Sequence, residues 1–261
     1  MINEKKLNTN ADAKDSSTKD SMLSRAEMLL GKKKIEALAR TRVAIFGVGG
    51  VGGYALEALL RSGISKIDVI DSDNVSISNL NRQIIATAST VGMKKVEAAI
   101  NRCKDINPDA EITPIYEFYS AENADGFDLT KYDYVIDAID TVGAKCELIE
   151  RATKSGVRII SSMGTGGKLS PAMLEVSDIY KTSVCPLARA VRTELKRRGV
   201  KKLKVVYSKE DPIKVTVTDT HGARTVHRAP GSMIFVPAAA GLILASEVIK
   251  DIVAEVGGED E

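Results

Sequence analysis

The chain has 261 residues, of which 44% are apolar and 28% charged, and its formal net charge is +2. These values are ordinary for a soluble globular protein with an ample core, and a charge near zero means that any surface for nucleic acid must be local. The three cysteines form no CxxC pair. Their spacing argues against a cysteine zinc site and a disulfide scaffold, and it fits the reducing cytoplasm.

The two ends of the chain are predicted to differ from its middle. Residues 1–21 are polar, lack the apolar segment of a signal peptide, and are expected to form a disordered leader. An amphipathic helix is predicted over Met22–Ala39. The uncharged stretch Ala229–Ser246 is interrupted by proline and glycine, so it predicts a buried helix ending near Val253 and no membrane span. Residues 254–261 are expected to form a polar tail.

Strands and helices alternate from Arg42 onwards. The runs "RVAIFGV", "KIDVID", "AEITPIY", "YDYVIDAID" and "VRIISSMG" predict strands, and "GYALEALLRSG", "VGMKKVEAAINRCKDINP" and "GAKCELIERATKSG" predict the helices between them. This alternation predicts an α/β fold with a Rossmann-like, doubly wound, mostly parallel sheet and helices on both faces.

The pattern loosens beyond about Ser170. The strand-like runs "AMLEVSDIY", "KLKVVYS" and "IKVTVTD" flank a helix predicted over about Cys185–Arg198. We therefore expect the sheet to be extended by a mixed or antiparallel C-terminal part, within one domain over residues 22–253. The nucleotide-binding half is expected at about 40–165 and the substrate-binding half at about 166–253.

The turn after the first predicted strand is rich in glycine. Its pattern G-x-G-G-x-G contains Gly47, Gly49, Gly50 and Gly52 and precedes a predicted helix. Glycine lets the backbone turn tightly and approach a phosphate closely, and the amides at the start of the next helix point at that anion. The motif indicates a nucleotide, but it leaves open whether that nucleotide is NAD or ATP.

The residues beyond the second predicted strand favour a triphosphate. Asp71, at the strand end, is placed to bind ribose hydroxyls in either kind of site. A second acid and a polar cluster follow it: Asp73, Asn79, Arg82 and Gln83. A cation there neutralises phosphate charge. Lys94 and Lys95 begin a further predicted helix, where a cation is unfavourable unless an anion offsets it, and we interpret Lys94 as a solvated residue.

The fourth predicted strand ends in two acids, Asp137 and Asp140. Ligands of open parallel sheets bind beyond the carboxyl ends of the strands. Because Mg²⁺ takes one or two carboxylates together with phosphate oxygens, Asp140 is a candidate metal ligand beside a triphosphate.

The runs "GVGGVGG", "DSDNVSISNLNRQ", "GMKKVEAA" and "DAIDT", in this order and spacing, resemble the adenylating superfamily of MoeB, ThiF, HesA and the ubiquitin-activating enzymes. The resemblance implies that ATP adenylates a carboxylate and that pyrophosphate is released. It implies that the glycine turn cradles the phosphates, that Asp71 and Asp73 hold the ribose, and that Asp140 holds Mg²⁺. The residues that it places at the triphosphate are Asn79, Arg82, Gln83 and Lys95.

The same resemblance implies a homodimer. Family members use an arginine from the N-terminal helix of the partner subunit, and "LSRAEMLLG" places Arg25 in the matching position. A surface arginine on an amphipathic helix explains Arg25 equally well.

The second half of the chain narrows the resemblance. "SSMGTGGKLSP", "VSDIYKTSVCPLARAVRTELKRRGV", "VVYSKEDP" and "GSMIFVPAAAGLILASEVI" are similar to the tRNA threonylcarbamoyladenosine dehydratase branch, over roughly Ser24–Val253. Members of this branch use ATP to cyclise the threonylcarbamoyl group on the adenosine next to the tRNA anticodon. The resemblance therefore implies tRNA as the partner.

A basic segment in the second half is a candidate RNA contact. Its cations are Arg189, Arg192, Lys196, Arg197, Arg198, Lys201, Lys202 and Lys204. Such a patch suits RNA phosphates, whereas the alternative interpretation is a solvated helix end, since cations favour a helix C-terminus. The segment has no aromatic residue for base stacking, so base recognition must lie elsewhere.

Cys185 has two possible roles. It precedes Pro186, which favours the first helical position, so it is predicted at a helix N-cap with Arg189 one turn away. Both features lower a thiol pKa, and related activators use a cysteine. The dehydratase branch commonly has an acid there, which is a good N-cap, and we expect a structural role. The remaining cysteines are interpreted as core residues and the histidines as loop residues: Cys103, Cys146, His221 and His227.

Two other functions fit the sequence less well. One is adenylation of the C-terminal glycine of a small sulfur-carrier protein. The missing CxxC pair and the basic segment argue against it. The other is an NAD-binding oxidoreductase or sensor, against which the polar cluster around Arg82 argues.

Overall fold

The computed structural model describes residues 21–214, 216–218, 224–226 and 230–256. The leader as far as residue 20, most of the predicted tail, and the two histidines lie outside the described residues.

The N-terminal segment forms two helices, α1 (Ser24–Leu30) and α2 (Lys32–Arg40). Gly31 separates them with a φ of 82°, a left-handed conformation that glycine adopts readily and that an α-helix does not continue through. The helical character predicted for Met22–Ala39 is therefore confirmed, but the stretch is divided into two helices, because the apolar periodicity does not record a break at one glycine.

Seven strands form one sheet, and in chain order they are β1 (Arg42–Phe46), β2 (Lys66–Ile70), β3 (Glu111–Ile115), β4 (Tyr134–Asp137), β5 (Arg158–Ser162), β6 (Leu174–Asp178) and β7 (Lys204–Ser208). Their spatial order is β3-β2-β1-β4-β5-β7-β6. Every neighbouring pair is parallel except β7 with β6. The predicted fold class, with its antiparallel C-terminal extension, is confirmed. A separate antiparallel hairpin joins β8 (Thr216–Thr218) and β9 (Arg224–Val226).

Helices cover both faces of the sheet, and the remaining ones are α3 (Gly52–Arg61), α4 (Lys95–Ile106), α5 (Val142–Lys154), α6 (Pro186–Arg197) and α7 (Phe235–Val256). Val43 and Ile45 of β1 pack in one apolar cluster with α3 and α7, whereas Ala44 and Phe46 pack in another with Leu148 of α5. This division follows from the strand geometry, since successive side chains point to opposite faces.

The apolar helix α7 packs directly on α3. A methyl group at Gly241 would lie 2.3 Å from the carbonyl oxygen of Val51, so the two helices touch through their backbones. The prediction of a buried helix in this region is confirmed. Among the helices of the described residues, none is both long and apolar enough to cross a membrane.

Cys103 and Cys146 lie in the core as predicted. Burial raises the pKa of the Cys103 thiol to about 12 and that of the Cys146 thiol to about 11. Both thiols are therefore protonated at neutral pH and unreactive.

The strand order reverses at β1. This strand has β2 on one side and β4 on the other, so the connections leaving β1 and β4 diverge and open a crevice at the carboxyl ends of the strands. The sequence-predicted polar residues follow the ends of these same strands.

Candidate active site

A cleft of about 470 Å³ lies at the carboxyl ends of β1, β2 and β4. It brings together most of the residues that the sequence predicts for a nucleotide site. Those that line it are Gly47, Gly49, Gly50, Asp71, Asp73, Asn79, Arg82, Gln83, Lys95 and Asp140.

The glycine turn forms the floor of the cleft. Gly47 has a φ of 90°, and a methyl group there would lie 2.8 Å from the carbonyl oxygen of Ala138. Gly52 begins α3 and is absent from the lining, but a methyl group on it would lie 1.8 Å from the carbonyl oxygen of Gly47. Gly52 therefore shapes the turn by allowing this close approach, and it does not face the ligand space.

Asp71 braces the glycine turn from the end of β2. Its Oδ2 accepts the N–H of Val48 at 2.8 Å, and its Oδ1 accepts the N–H of Asp73 at 2.9 Å. Burial raises the pKa of the Asp71 carboxyl, while the charge of Lys95 and the two amides act in the opposite direction. The structure thus gives Asp71 a positioning contact in addition to the ribose contact predicted for it.

Lys95 and Lys94 have opposite environments. The Lys95 side chain is 8% exposed, and its Nζ lies 2.6 Å from Oδ2 of Asp73 and 3.9 Å from Oδ1 of Asp71. The Lys94 side chain is 44% exposed and pairs with Glu97 on the first turn of α4. Of the two lysines, only Lys95 lines the cleft. The carboxylates of Asp71 and Asp73 supply the negative charge that a lysine at the N-terminal end of a helix requires.

The segment after β2 carries the polar side of the cleft. Asn79 is 8% exposed, and its Oδ1 accepts the N–H of Ser76 at 3.0 Å. Arg82 donates from Nη1 to the carbonyl of Ser78 at 2.8 Å and to Oδ1 of Asn81 at 3.0 Å. These contacts fix the guanidinium beside the glycine turn, where it can receive an anion.

Two buried polar atoms of the cleft lack a partner. They are Oε1 of Gln83 and the hydroxyl of Tyr119, and the described residues contain one other such atom, Nε of Arg42. Tyr119 is 4% exposed and packs edge-on against Phe46, with ring centroids 5.0 Å apart. Because buried polar groups are nearly always satisfied, both atoms indicate that the cleft binds a ligand with polar groups at these positions.

Tyr119 is not predicted from the sequence. It follows β3 in "YEFYSAE", and nothing in that local pattern distinguishes it from a core aromatic residue. Its place in the cleft depends on the packing of Phe46 and Phe127 around it.

The two acids that follow β4 have different surroundings. Asp140 is exposed and lines the cleft. Asp137 is fully buried and pairs with Lys145 of α5, a residue that the sequence analysis did not identify. Of the two acids, Asp140 alone is available to a ligand.

Arg25 and Cys185 do not line this cleft. Arg25 is exposed on α1. Cys185 takes the predicted N-cap position of α6, but its side chain makes no capping hydrogen bond and is 2% exposed in an apolar cluster with Val191 and Leu195.

The basic segment divides into paired and exposed cations. Arg192 donates to Oγ1 of Thr182 at 2.6 Å and, like Arg197, lines a groove of about 580 Å³. Arg197 pairs with Glu194. Arg198 contacts carboxylates at 2.7–2.8 Å, and these belong to Glu147, Glu150 and Glu194. Lys204 pairs with Asp251 at 2.6 Å. The exposed cations, for which no ion pair is seen in the described part of the chain, are Arg189, Lys196, Lys201 and Lys202.

Comparison with known proteins identifies the family. Residues 23–260 match the model of the ThiF family. The chain belongs to the ThiF family. This membership agrees with a glycine-floored cleft at the strand switch point, and it confirms the superfamily resemblance seen in the sequence.

Individual ThiF relatives narrow the comparison. The chain is 41% identical over 241 residues to the tRNA threonylcarbamoyladenosine dehydratase of Bacillus subtilis, covering 89% of this chain and 95% of the relative. It is 38% identical over 168 residues to the Escherichia coli enzyme of the same name, covering 64% of this chain and 63% of the relative. The resemblance to the dehydratase branch is therefore confirmed.

Solved structures of a ThiF relative contain nucleotides. The Escherichia coli tRNA N6-threonylcarbamoyladenosine dehydratase in complex with ATP superposes with a TM-score of 0.82 at 30% identity, covering 91% of this chain and 96% of the other. Its AMP complex gives a TM-score of 0.81 at 32% identity, covering 89% and 94%.

The unpartnered hydroxyl of Tyr119 leads to a testable prediction. Tyr119→Phe removes a buried hydroxyl without a partner, so it is expected to raise the free energy of unfolding by about 1 kcal/mol in urea titrations. Saturating ATP is expected to stabilise this variant less than the native chain if the hydroxyl contacts the nucleotide.

Tyr132→Phe is the matched control. The Tyr132 hydroxyl donates to Oδ2 of Asp68 at 2.7 Å, so its removal is expected to destabilise the chain by about 1.5–3 kcal/mol. Equal destabilisation by both variants would contradict the assignment of an unpartnered Tyr119 hydroxyl.

Proposed function

We propose that this chain is an ATP-dependent tRNA threonylcarbamoyladenosine dehydratase. It adenylates the carboxylate of the threonylcarbamoyl group next to the anticodon and then cyclises that group. The observation that carries the proposal is the cleft itself, in which a glycine floor, an acid for the ribose, two cations and the exposed Asp140 converge. The similarity to dehydratases over nearly the whole chain supports the substrate.

ATP fits the cleft from its floor outward. The glycine turn admits phosphate oxygens close to the backbone amides, and Asp71 lies where a ribose hydroxyl is bound in folds of this type. Arg82 and Lys95 supply positive charge on the phosphate side. Asp140 fits Mg²⁺, because this ion is commonly held by one or two accessible carboxylates together with phosphate oxygens. Bound there, Mg²⁺ would neutralise phosphate charge.

The first step needs orientation and charge neutralisation, and it needs no base. The substrate carboxylate is already ionised at neutral pH. One of its oxygens attacks the α-phosphorus of ATP, the bond to the β-phosphate oxygen breaks, and pyrophosphate leaves. Lys95 and Arg82 stabilise the charge that builds up on the phosphates. The glycine floor holds the phosphates so that pyrophosphate leaves in line with the attacking oxygen.

The second step is intramolecular. The acyl adenylate carries AMP as a good leaving group, and the carbamoyl unit of the same side chain attacks the acyl carbon. A five-membered ring closes, AMP leaves, and one N–H proton of the carbamoyl unit is lost. Ring closure within one molecule has a low entropic cost, so no covalent enzyme intermediate is required.

The exposed cations of α6 and the loop after it suit the tRNA backbone. Of these cations, Lys196 lines the groove formed with Tyr180 and Thr193, and Arg189 lies seven residues before it, on the same face of α6. Each cation that contacts a phosphate releases counterions, which makes the binding salt-dependent. The ion pairs of Arg197 and Arg198 reduce their contribution to this surface.

A second copy of the chain is proposed to cover α1. Met28 and Leu29 on this helix are 80% and 84% exposed, although both are large apolar side chains. Burial of these side chains against another subunit would stabilise a dimer. Arg25 lies on the same helix, outside the cleft of its own chain, so the role implied for it requires that a dimer bring it to the cleft of the neighbouring subunit.

The neighbouring lysines at the start of α4 provide a sharp test of the phosphate site. Lys95→Ala is expected to lower the rate of tRNA-dependent ATP–pyrophosphate exchange about a hundredfold, since it removes a positioned charge from the reacting phosphates. Lys94→Ala is expected to change the rate less than about twofold, because its ion pair is exposed.

Mass spectrometry of tRNA nucleosides from cells lacking the native chain supplies the second readout. The native chain and Lys94→Ala are expected to restore the cyclic nucleoside, while Lys95→Ala leaves the open form. If cells lacking the chain kept their cyclic nucleoside, the proposed substrate would be wrong.

Subunit mixing tests the role of Arg25. Arg25→Ala and Lys95→Ala are each expected to be inactive alone. After random reassociation, the mixture is expected to regain about a quarter of native activity, because half of the dimers are mixed and each contains one intact site. An inactive mixture whose dimers have demonstrably exchanged would exclude an arginine acting across the interface.

Charge reversal tests the tRNA surface. Arg189→Glu/Lys196→Glu is expected to weaken tRNA binding and to reduce the slope of log affinity against log salt by about 2. Arg40→Glu/Lys104→Glu changes the net charge equally on other exposed elements and is expected to leave the slope unchanged. Equal effects of the two variants in filter-binding titrations would show that Arg189 and Lys196 do not contact the tRNA and act only through the net charge of the protein.

A further inference from the structure

A fully buried ion pair lies behind the cleft. The Nζ of Lys145 on α5 is 2.7 Å from Oδ2 of Asp137 at the end of β4, and both side chains are 0% exposed. The same ammonium donates to Oγ of Ser161 at 3.1 Å and to the carbonyl of Ser162 at 3.0 Å, both on β5. All three donors of the lysine are therefore used.

The Asp137 carboxylate also connects the buried pair to a residue that lines the cleft. Its Oδ2 also accepts the hydroxyl of Ser161 at 2.5 Å, whereas its Oδ1 accepts the N–H of Ile139 at 3.1 Å. Ile139 and the adjacent Asp140 line the cleft, while Asp137 and Lys145 do not. The buried pair is thus one hydrogen bond away from the segment that presents Asp140.

This segment also touches the glycine floor. The carbonyl of Ala138 lies so close to Gly47 that a methyl group on the glycine would be 2.8 Å from it. A shift of Ile139 would therefore change the position of Asp140 and the support of the glycine turn together.

Fold stability alone is a weak explanation for this pair. Removing two charges from water is costly, and apolar residues of similar size often serve a core equally well or better. The pair does, however, provide a fixed acceptor at a point where an apolar side chain provides none. In many proteins, residues that do not touch a metal orient its ligands through hydrogen bonds.

We propose that Asp137 is a positioning residue: its side-chain oxygen holds the amide of Ile139 so that Asp140 faces the metal–triphosphate end of the nucleotide, while Lys145 and Ser161 hold the carboxylate in place. This inference rests on the proposed function. It predicts that the Asp137 oxygen matters for Mg²⁺–ATP and much less for AMP, because AMP lacks the β- and γ-phosphates that a metal on Asp140 would contact.

Two double variants differ in whether residue 137 offers an acceptor to Ile139 and Ser161. Asp137→Asn/Lys145→Met removes both charges and keeps a side-chain oxygen, while Asp137→Leu/Lys145→Met removes the charges and the oxygen. Calorimetric titration without tRNA measures the affinity for AMP, for ATP in EDTA, and for ATP with Mg²⁺. Urea titrations verify that each variant is folded.

The leucine variant is expected to lose about tenfold or more in affinity for ATP with Mg²⁺, in line with the loss of other outer-shell contacts, and to bind AMP within about threefold of the native chain. The asparagine variant is expected to bind both within about threefold. Equal loss of AMP and Mg²⁺–ATP binding, or no loss of either, in a folded leucine variant would overturn the positioning role.

Asp137→Ala/Lys145→Met also removes the oxygen and replaces the leucine variant if that one does not fold, with the same expected tenfold loss for Mg²⁺–ATP and the same small change for AMP. A tenfold loss of Mg²⁺–ATP affinity in the asparagine variant, with unchanged AMP binding, would show that the charge is required instead and would overturn the proposal. A native chain that binds neither AMP nor ATP would overturn the proposed function, and the positioning role with it.

Discussion

The contact between the glycine turn and the end of β4 is the constraint on which the rest of the site depends. Gly52 approaches the carbonyl of Gly47, and Gly47 approaches the carbonyl of Ala138, at distances that leave no room for a methyl group. Backbone therefore touches backbone across the strand switch point. This contact brings the N-terminal amides of α3, the end of β2 and Asp140 after β4 around one small volume.

The charges around that floor are arranged in two ways. Asp137 is buried and is satisfied from within the chain by Lys145 and Ser161. Asp71 is half-buried and lines the cleft, and it accepts two amides beside Lys95. Asp140 and Arg82 reach the cleft from its edges, where a ligand can meet them. Asp137 thus serves only to hold the backbone, whereas Asp71 and Lys95 both stabilise the site and face the ligand.

Most of the cleft could be predicted from the sequence because its residues are local to recognisable motifs. The glycine turn, Asp71 and Asp140 each follow a strand, and parallel strands end at the same edge of a sheet. Tyr119 and Lys145 could not be predicted in this way. Their roles arise from an unsatisfied hydroxyl and a buried ion pair, which exist only when β1, β4, β5 and α5 are packed together.

The sequence by itself determined the order of strands and helices, the α/β class and the polar residues at the strand ends, because side-chain periodicity and glycine chemistry are local properties. Only the tertiary structure decided which charges remain available. Arg198 is neutralised by Glu147 and Glu150, which lie far from it along the chain, whereas Arg189 of α6 stays exposed. Burial and ion pairing depend on residues brought together from distant segments, and no local pattern contains that information.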